Sequence, residues 1–169
     1  MKTLLVDGYN LIHAHPELAT IMDQDQDAAR EGLLRELSPL ASPDHFAVLV
    51  VVFDAAGSNQ PAPVERESGG INVVFTRRGQ SADALIEGLA RQLLQAGEVT
   101  VASSDRTLQG VVSGFGARTL DARSMLDLAK EALLETREDM RRMGGGGRNP
   151  LEDRVSEEVR RLLDEMRYG

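Results

Sequence analysis

Four aspartates stand where open α/β sheets bind their ligands. Val6 runs into Asp7, Phe53 into Asp54, and Ser103-Ser104 into Asp105, each at the end of an apolar run. Asp83 follows Ser81-Ala82 at the start of a helical pattern. An acid at the carboxyl end of a buried parallel strand faces the crevice where such sheets place their sites. Taken singly, each acid has an ordinary explanation. Asp54 and Asp105 suit turns, and Asp83 suits the first turn of a helix, where the dipole favours negative charge. Gathered in one pocket they would repel and raise one another's pKa. A bound cation removes that cost. Hard oxygen donors, with no cysteine and no spaced histidine pair, point to Mg²⁺ or Mn²⁺ rather than zinc. Such an ion suits phosphodiester cleavage, because it lowers the pKa of a water and offsets charge at phosphorus.

Asp7, Asp83 and Asp105 are the expected metal ligands, and Asp54 is a supporting acid or a ligand to a second ion. All four are candidate catalytic residues. Asn10 and Ser104 could hydrogen-bond those ligands or a substrate phosphate. Arg77, Arg78 and Arg106 flank the same edge and could hold phosphates, though exposed arginines are common on any surface. Glu87 lies one turn beyond Asp83 and is either a further ligand or the partner of Arg91. His13 and His15 are expected to be loop residues first and substrate contacts second.

The elements that must position these residues follow from periodicity. Strands are expected at Leu4–Val6, Ala47–Phe53, Ile71–Phe75, Val99–Ala102 and Ala117–Leu120. His13–Pro16 reads as irregular. A helix starting at Asp25 or Asp27 carries the stripe Ala29, Leu33, Leu34, Leu37 and Leu40, broken by Ser38-Pro39. Ala55–Gly70, with its prolines and glycines, reads as one long surface loop. Ser81 caps a helix to about Ala96, a short helix spans Arg106 to about Phe115, and Asp121 caps a long helix to about Met143. Alternating strands and helices predict a three-layer α/β domain with a mostly parallel sheet. That domain is expected over residues 1–143. A glycine-rich joint follows at 144–150. An amphipathic helix at 151–169 starts from Asn149 and Pro150 and packs on the domain or on a partner.

Length and charge narrow the class further. The 169 residues favour one domain with a substantial core. No 18-residue apolar run exists, so no membrane span is expected. No signal segment is expected either, because Asp7 interrupts the N-terminal apolar run. With no cysteines, these features favour the cytoplasm. Net charge is -8, and residues 1–60 carry only 3 basic side chains against 9 acidic ones. Broad phosphate contacts are therefore not the expected mode of binding nucleic acid.

The order and spacing of these residues resemble the YacP-like branch of the NYN-domain family, which belongs with the PIN-like nucleases. Leu4-Leu5-Val6-Asp7-Gly8-Tyr9-Asn10-Leu11-Ile12, Val52-Phe53-Asp54-Ala55 and Val74-Phe75-Thr76 carry the likeness. Ser81-Ala82-Asp83-Ala84-Leu85-Ile86-Glu87 and Ala102-Ser103-Ser104-Asp105-Arg106 continue it. Gln109, Gly114-Phe115-Gly116-Ala117 and the terminal Glu165-Met166-Arg167 also fit, and Ser81 stands where the family usually has Thr. The resemblance implies a PIN-like fold and a Mg²⁺- or Mn²⁺-dependent endoribonuclease. The expected substrate is single-stranded RNA, mRNA above all, met on the ribosome. The acidic site would be Asp7, Asp83 and Asp105, with Asp54 and Asn10 beside it. A monomer or weak dimer is expected. Two other classes compete. One is a non-catalytic RNA or ribosome adaptor on the same fold. The other is a small-molecule phosphatase, which Tyr9 disfavours because a second acid is usual at that position.

Overall fold

The computed structural model describes residues 1–55, 64–144, 157, 160–162, 164 and 165; for residues 64 and 65 only the backbone is described. Among them, six strands form one sheet in the order β3-β4-β2-β1-β5-β6. The strands are β1 (Lys2–Asp7), β2 (Val48–Phe53), β3 (Val64–Ser68), β4 (Ile71–Phe75), β5 (Glu98–Ala102) and β6 (Arg118–Leu120). All pairings are parallel except β3 with β4. The helices are α1 (Gly8–Ala14), α2 (Pro16–Gln24), α3 (Gln26–Leu37), α4 (Ala82–Leu93), α5 (Arg106–Gly114) and α6 (Ala122–Met143), with a 3-10 turn at Ser38–Leu40.

The strands read as unbroken apolar runs because both faces of the sheet are covered. Along β2, Leu49, Val51 and Phe53 pack with α1, α2, α3 and α6, whereas Val48, Val50 and Val52 pack with α4 and α5. Side chains alternate across the sheet, so one strand feeds both halves of the core. The stripe Ala29, Leu33, Leu34 and Leu37 of α3 is buried, as is Leu85, Ile86, Leu89, Ala90 and Leu93 of α4. Among the described residues no helix is long and apolar enough to cross a membrane.

Two stretches differ from the expectations. The loop expected over Ala55–Gly70 contains β3, which turns through Gly69-Gly70 (φ 58° and 79°) to pair antiparallel with β4. The positive φ values are the reason for the two glycines. Residues 56–63 lie outside the described residues. The stretch expected to be irregular, His13–Pro16, is two helices with one extended residue between them. His15 has φ -100° and ψ 110°, the conformation favoured before proline. Pro16 then takes the first helical position, where its missing N–H costs nothing. The caps at Ser81 and Asp121 form as expected, and Asp105 caps α5 as well, each side chain accepting from a backbone N–H of the first turn. Gly144 ends α6, and the rest of the glycine joint lies outside the described residues. The described part of 151–169 is helical, and Leu162 packs, partly buried, on the α4–α5 half of the core.

Candidate active site

The chain turns back on itself at β1. From β1 it moves outward through β2 and β4, and only then crosses to β5 and β6 on the other side. Such a reversal opens a crevice at the carboxyl ends of the strands flanking it. Asp7 is the last residue of β1, Asp54 follows β2, and Asp105 follows β5. Asp83 joins them from the first turn of α4.

Asp7 is buried, with 9% of its surface exposed. Ser103 Oγ, wholly buried, donates to Asp7 Oδ2 at 3.1 Å and accepts from Asp105 N at 3.1 Å. One hydroxyl therefore ties the acid of β1 to the acid after β5. Gln109 Nε2 secures the Ser103 carbonyl at 2.6 Å. Asp105 also caps α5, its Oδ1 accepting from Thr107 N and Leu108 N at 2.8 and 3.1 Å. On the other flank, Thr76 brackets Asp54. Its N donates to the Phe53 carbonyl at 3.0 Å, and its Oγ1 accepts from Ala55 N at 2.9 Å.

Electrostatics show the acids in range of one another. Burial pushes the Asp7 carboxyl up to about 6. The Ser103 hydroxyl opposes this, Asp83 and Asp105 add to it by charge repulsion, and the Asn10 backbone amide opposes it. Asp83 is raised as well, first by burial and then by Asp105, Glu87 and Asp54. Yet among the described residues no three acidic or histidine side chains close around one point tightly enough to enclose a metal ion. The donor set is still of the right kind: carboxylates that repel one another, one of them buried. Mg²⁺ keeps several waters and is commonly held through one or two carboxylates, so full enclosure by protein is not required of this site.

The expected site residues therefore fall into groups. Asp7, Asp54, Asp83 and Asp105 share one edge. Asn10 and Ser104 are used within the protein: Asn10 Oδ1 accepts from Ser104 N at 2.7 Å, and Ser104 Oγ accepts from Ala122 N at 3.0 Å. Their remaining capacity is the Asn10 Nδ2 amide and the Ser104 hydroxyl hydrogen. Arg77, Arg78 and Arg106 are exposed beside the edge, after β4 and at the start of α5. Glu87 faces the electrostatic field of Asp83, and Arg91 lies over the Phe115 ring at 4.5 Å. His13 is exposed in α1. His15 caps α2 through Nδ1 and meets Glu36 at 3.0 Å. Ser103 and Thr76 are positioning hydroxyls; Ser103 was expected at the strand end but with no role, and Thr76 was not expected at the site. Their signal was a small polar residue directly after a buried apolar run.

Comparison with known proteins shows the family and the fold. The profile of the YacP-like NYN domain matches residues 4–168. The Bacillus subtilis (strain 168) protein YacP is 36% identical over 130 residues, which cover 75% of this chain and 74% of that protein. The crystal structure of Rae1 (YacP) from Bacillus subtilis superposes with a TM-score of 0.68 at 29% identity, over 100% of this chain and 96% of that one. The crystal structure of a tryptophan-to-leucine mutant of the same protein superposes equally well, with a TM-score of 0.68 at 30% identity over 90% and 89% of the two chains.

Proposed function

The chain belongs to the YacP-like NYN domain family, and from that premise we propose that it is a metal-dependent endoribonuclease. Its substrate is single-stranded RNA, mRNA above all. Water attacks phosphorus in line with the leaving 3′ oxygen, giving a 5′-phosphate and a 3′-hydroxyl. One observation carries the proposal: four carboxylates from four separate elements meet at the switch point of the sheet, and two of them are held above their ordinary pKa partly by the others. A protein gains nothing in stability from that repulsion, so the cluster calls for a cation.

One or two of Asp7, Asp83 and Asp105 would hold Mg²⁺ or Mn²⁺ directly and the rest would act through its waters, with Asp54 in reserve. When bound, the ion supplies a nucleophile at neutral pH and offsets charge at phosphorus. The chain's own residues do the rest. Ser103 holds Asp7 by Oδ2, and the Asn10 backbone amide also donates to that carboxylate, so its position is fixed. The capping bonds fix Asp105 in the same way. Arg77, Arg78 and Arg106 contact phosphates on either side of the scissile one. Asn10 Nδ2 donates to a phosphate oxygen. Weak, local phosphate contacts suit an acidic protein brought to its RNA by a larger assembly, and the ribosome is the assembly this reading proposes.

The test is cleavage of labelled single-stranded RNA with Mn²⁺ or Mg²⁺, for wild type, Asp7→Asn and Asp83→Asn, with and without ribosomes. Metal-dependent cutting lost in both variants supports the reading. Cutting only with translating ribosomes adds the partner, whereas full cutting of naked RNA that ignores ribosomes removes it. No cutting by folded protein in any condition leaves the adaptor role.

A further inference from the structure

Arg30 lies in α3, outside every stretch that marks the site, yet its side chain is only 13% exposed. A guanidinium leaves water only where partners offset its lost hydration. Nη1 donates to the Tyr9 hydroxyl at 2.8 Å, and Nη2 pairs with Asp27. The guanidinium carbon lies 5.5 Å from the Phe75 ring centroid and 6.0 Å from that of Phe53, within cation–π reach of both. The two rings stack at 5.6 Å, and Phe53 meets the Tyr9 ring at 5.0 Å. Arg30 Nε is buried with no partner among the described residues. Its other contacts, not its own hydrogen-bonding needs, hold the group in place.

Each ring is next to the acidic edge in the chain. Tyr9 lies between Asp7 and Asn10. Phe53 precedes Asp54. Phe75 precedes Thr76, which brackets Asp54. Phe53 also abuts the backbone of Gly8, where an added Cβ would stand 2.3 Å from its ring. One cation thus joins the ends of β1, β2 and β4 through three aromatic side chains.

We infer that Arg30 is a positioning residue that sets where Asp7, Asn10 and Asp54 stand relative to one another. Arginine fits this role and lysine does not. A planar fork reaches a hydroxyl, a carboxylate and two ring faces at once, whereas an ammonium is a point charge. The catalytic consequence rests on the nuclease reading above; the positional one does not.

Three variants separate the two. Tyr9→Phe keeps the ring and removes only the acceptor. Arg30→Met removes the charge, and Arg30→Lys keeps it. Amide hydrogen exchange in the intact chain should quicken by ~10-fold across α1 in Arg30→Met and by a smaller factor in Tyr9→Phe, while the amides of β2 stay protected. Mn²⁺ affinity by calorimetry should fall in both. On RNA, kcat should drop ~10-fold with KM unchanged, as expected when reacting groups lose alignment. Arg30→Lys should restore neither exchange nor kcat. The double variant Arg30→Met with Tyr9→Phe should be no worse than Arg30→Met alone, because both remove the same contact. A lower melting temperature in Arg30→Met with unchanged α1 exchange, Mn²⁺ affinity and kcat would overturn the inference. Wild type that never cuts RNA removes the nuclease reading, while exchange and Mn²⁺ affinity still decide this one.

Discussion

Replacing Asp7 by asparagine should stabilise the metal-free protein at the same time as it disables the site. The Asp7 carboxyl is pushed up to about 6 from an ordinary 3.8. At pH below about 3.8 both folded and unfolded chains are protonated there, and the residue is neutral to stability. As pH rises from about 3.8 to about 6 the unfolded chain loses its proton first, so stability falls. Above about 6 the whole penalty persists. The gap of about two pH units corresponds to ~3 kcal/mol as a ceiling. Asparagine removes the charge but keeps an oxygen for Ser103. The Ser103 bond is already counted in that shift, so only residual solvent screening and unfolded-state structure, together ~1 kcal/mol, come off the ceiling. The net gain at pH 8 should therefore be ~1–2 kcal/mol, or on the order of 1 M in the urea midpoint. Urea titrations of both proteins in EDTA at pH 8 and pH 4 read this directly. The advantage should shrink to ~0.5 kcal/mol or less at pH 4, where the unfolded carboxyl is only partly ionised. Excess Mg²⁺ should reverse the order at pH 8, because binding at about 100 times Kd adds ~2.7 kcal/mol to wild type alone. If Asp7→Asn is the less stable protein at pH 8 in EDTA, or if its advantage is the same at pH 4, the account of the acidic edge is wrong.

Further outcomes follow from the same edge. Gly8→Ala places a Cβ 2.3 Å from Phe53 Cε1 and should cost ~1–3 kcal/mol by overpacking, read by thermal denaturation. Ser103→Ala strips a partner from both Asp7 Oδ2 and Asp105 N; it should cost ~1–3 kcal/mol in urea and lower RNA cleavage at saturating metal. Ser81→Ala removes the α4 cap and should cost ~1 kcal/mol, with the loss seen as faster amide exchange in the turn carrying Asp83.

Much of this was legible along the chain because burial writes itself as pattern. Val48–Phe53 reads as a strand because both of its faces are covered, α4 reads as a helix from cap and stripe together, and α6 from its cap. β3 was not legible. Its sequence, VERES, is mostly polar, Arg66 and Glu67 are exposed, and the strand pairs through its backbone with β4 at the rim of the sheet. α1 and α2 were obscured by Gly8 and Pro16. Both residues break a helix interior, but they fit a helix start, where the first N–H groups have no partner in any case. The four acids were legible as residues at strand ends and a helix start. The groups that place them were less so. Ser103 and Thr76 look like ordinary strand-end polar residues until their hydrogen bonds are drawn. Arg30 gives no local signal, since its role exists only once α3 lies beside Tyr9, Phe53 and Phe75.

The central position of β1 has a temporal consequence. β1 precedes the other five strands of the sheet and must pair on one side with β2 and on the other with β5, which is made much later. The acids at this edge come from nearly the whole length of the folded domain, ending with Asp105. No shorter N-terminal fragment holds the complete set, and β1 lacks half its backbone partners until β5 emerges. Folding that proceeds during synthesis would therefore withhold the completed edge until most of the chain exists. On the proposed reading, any activity of this edge would likewise appear only after β5 and Asp105 have been made.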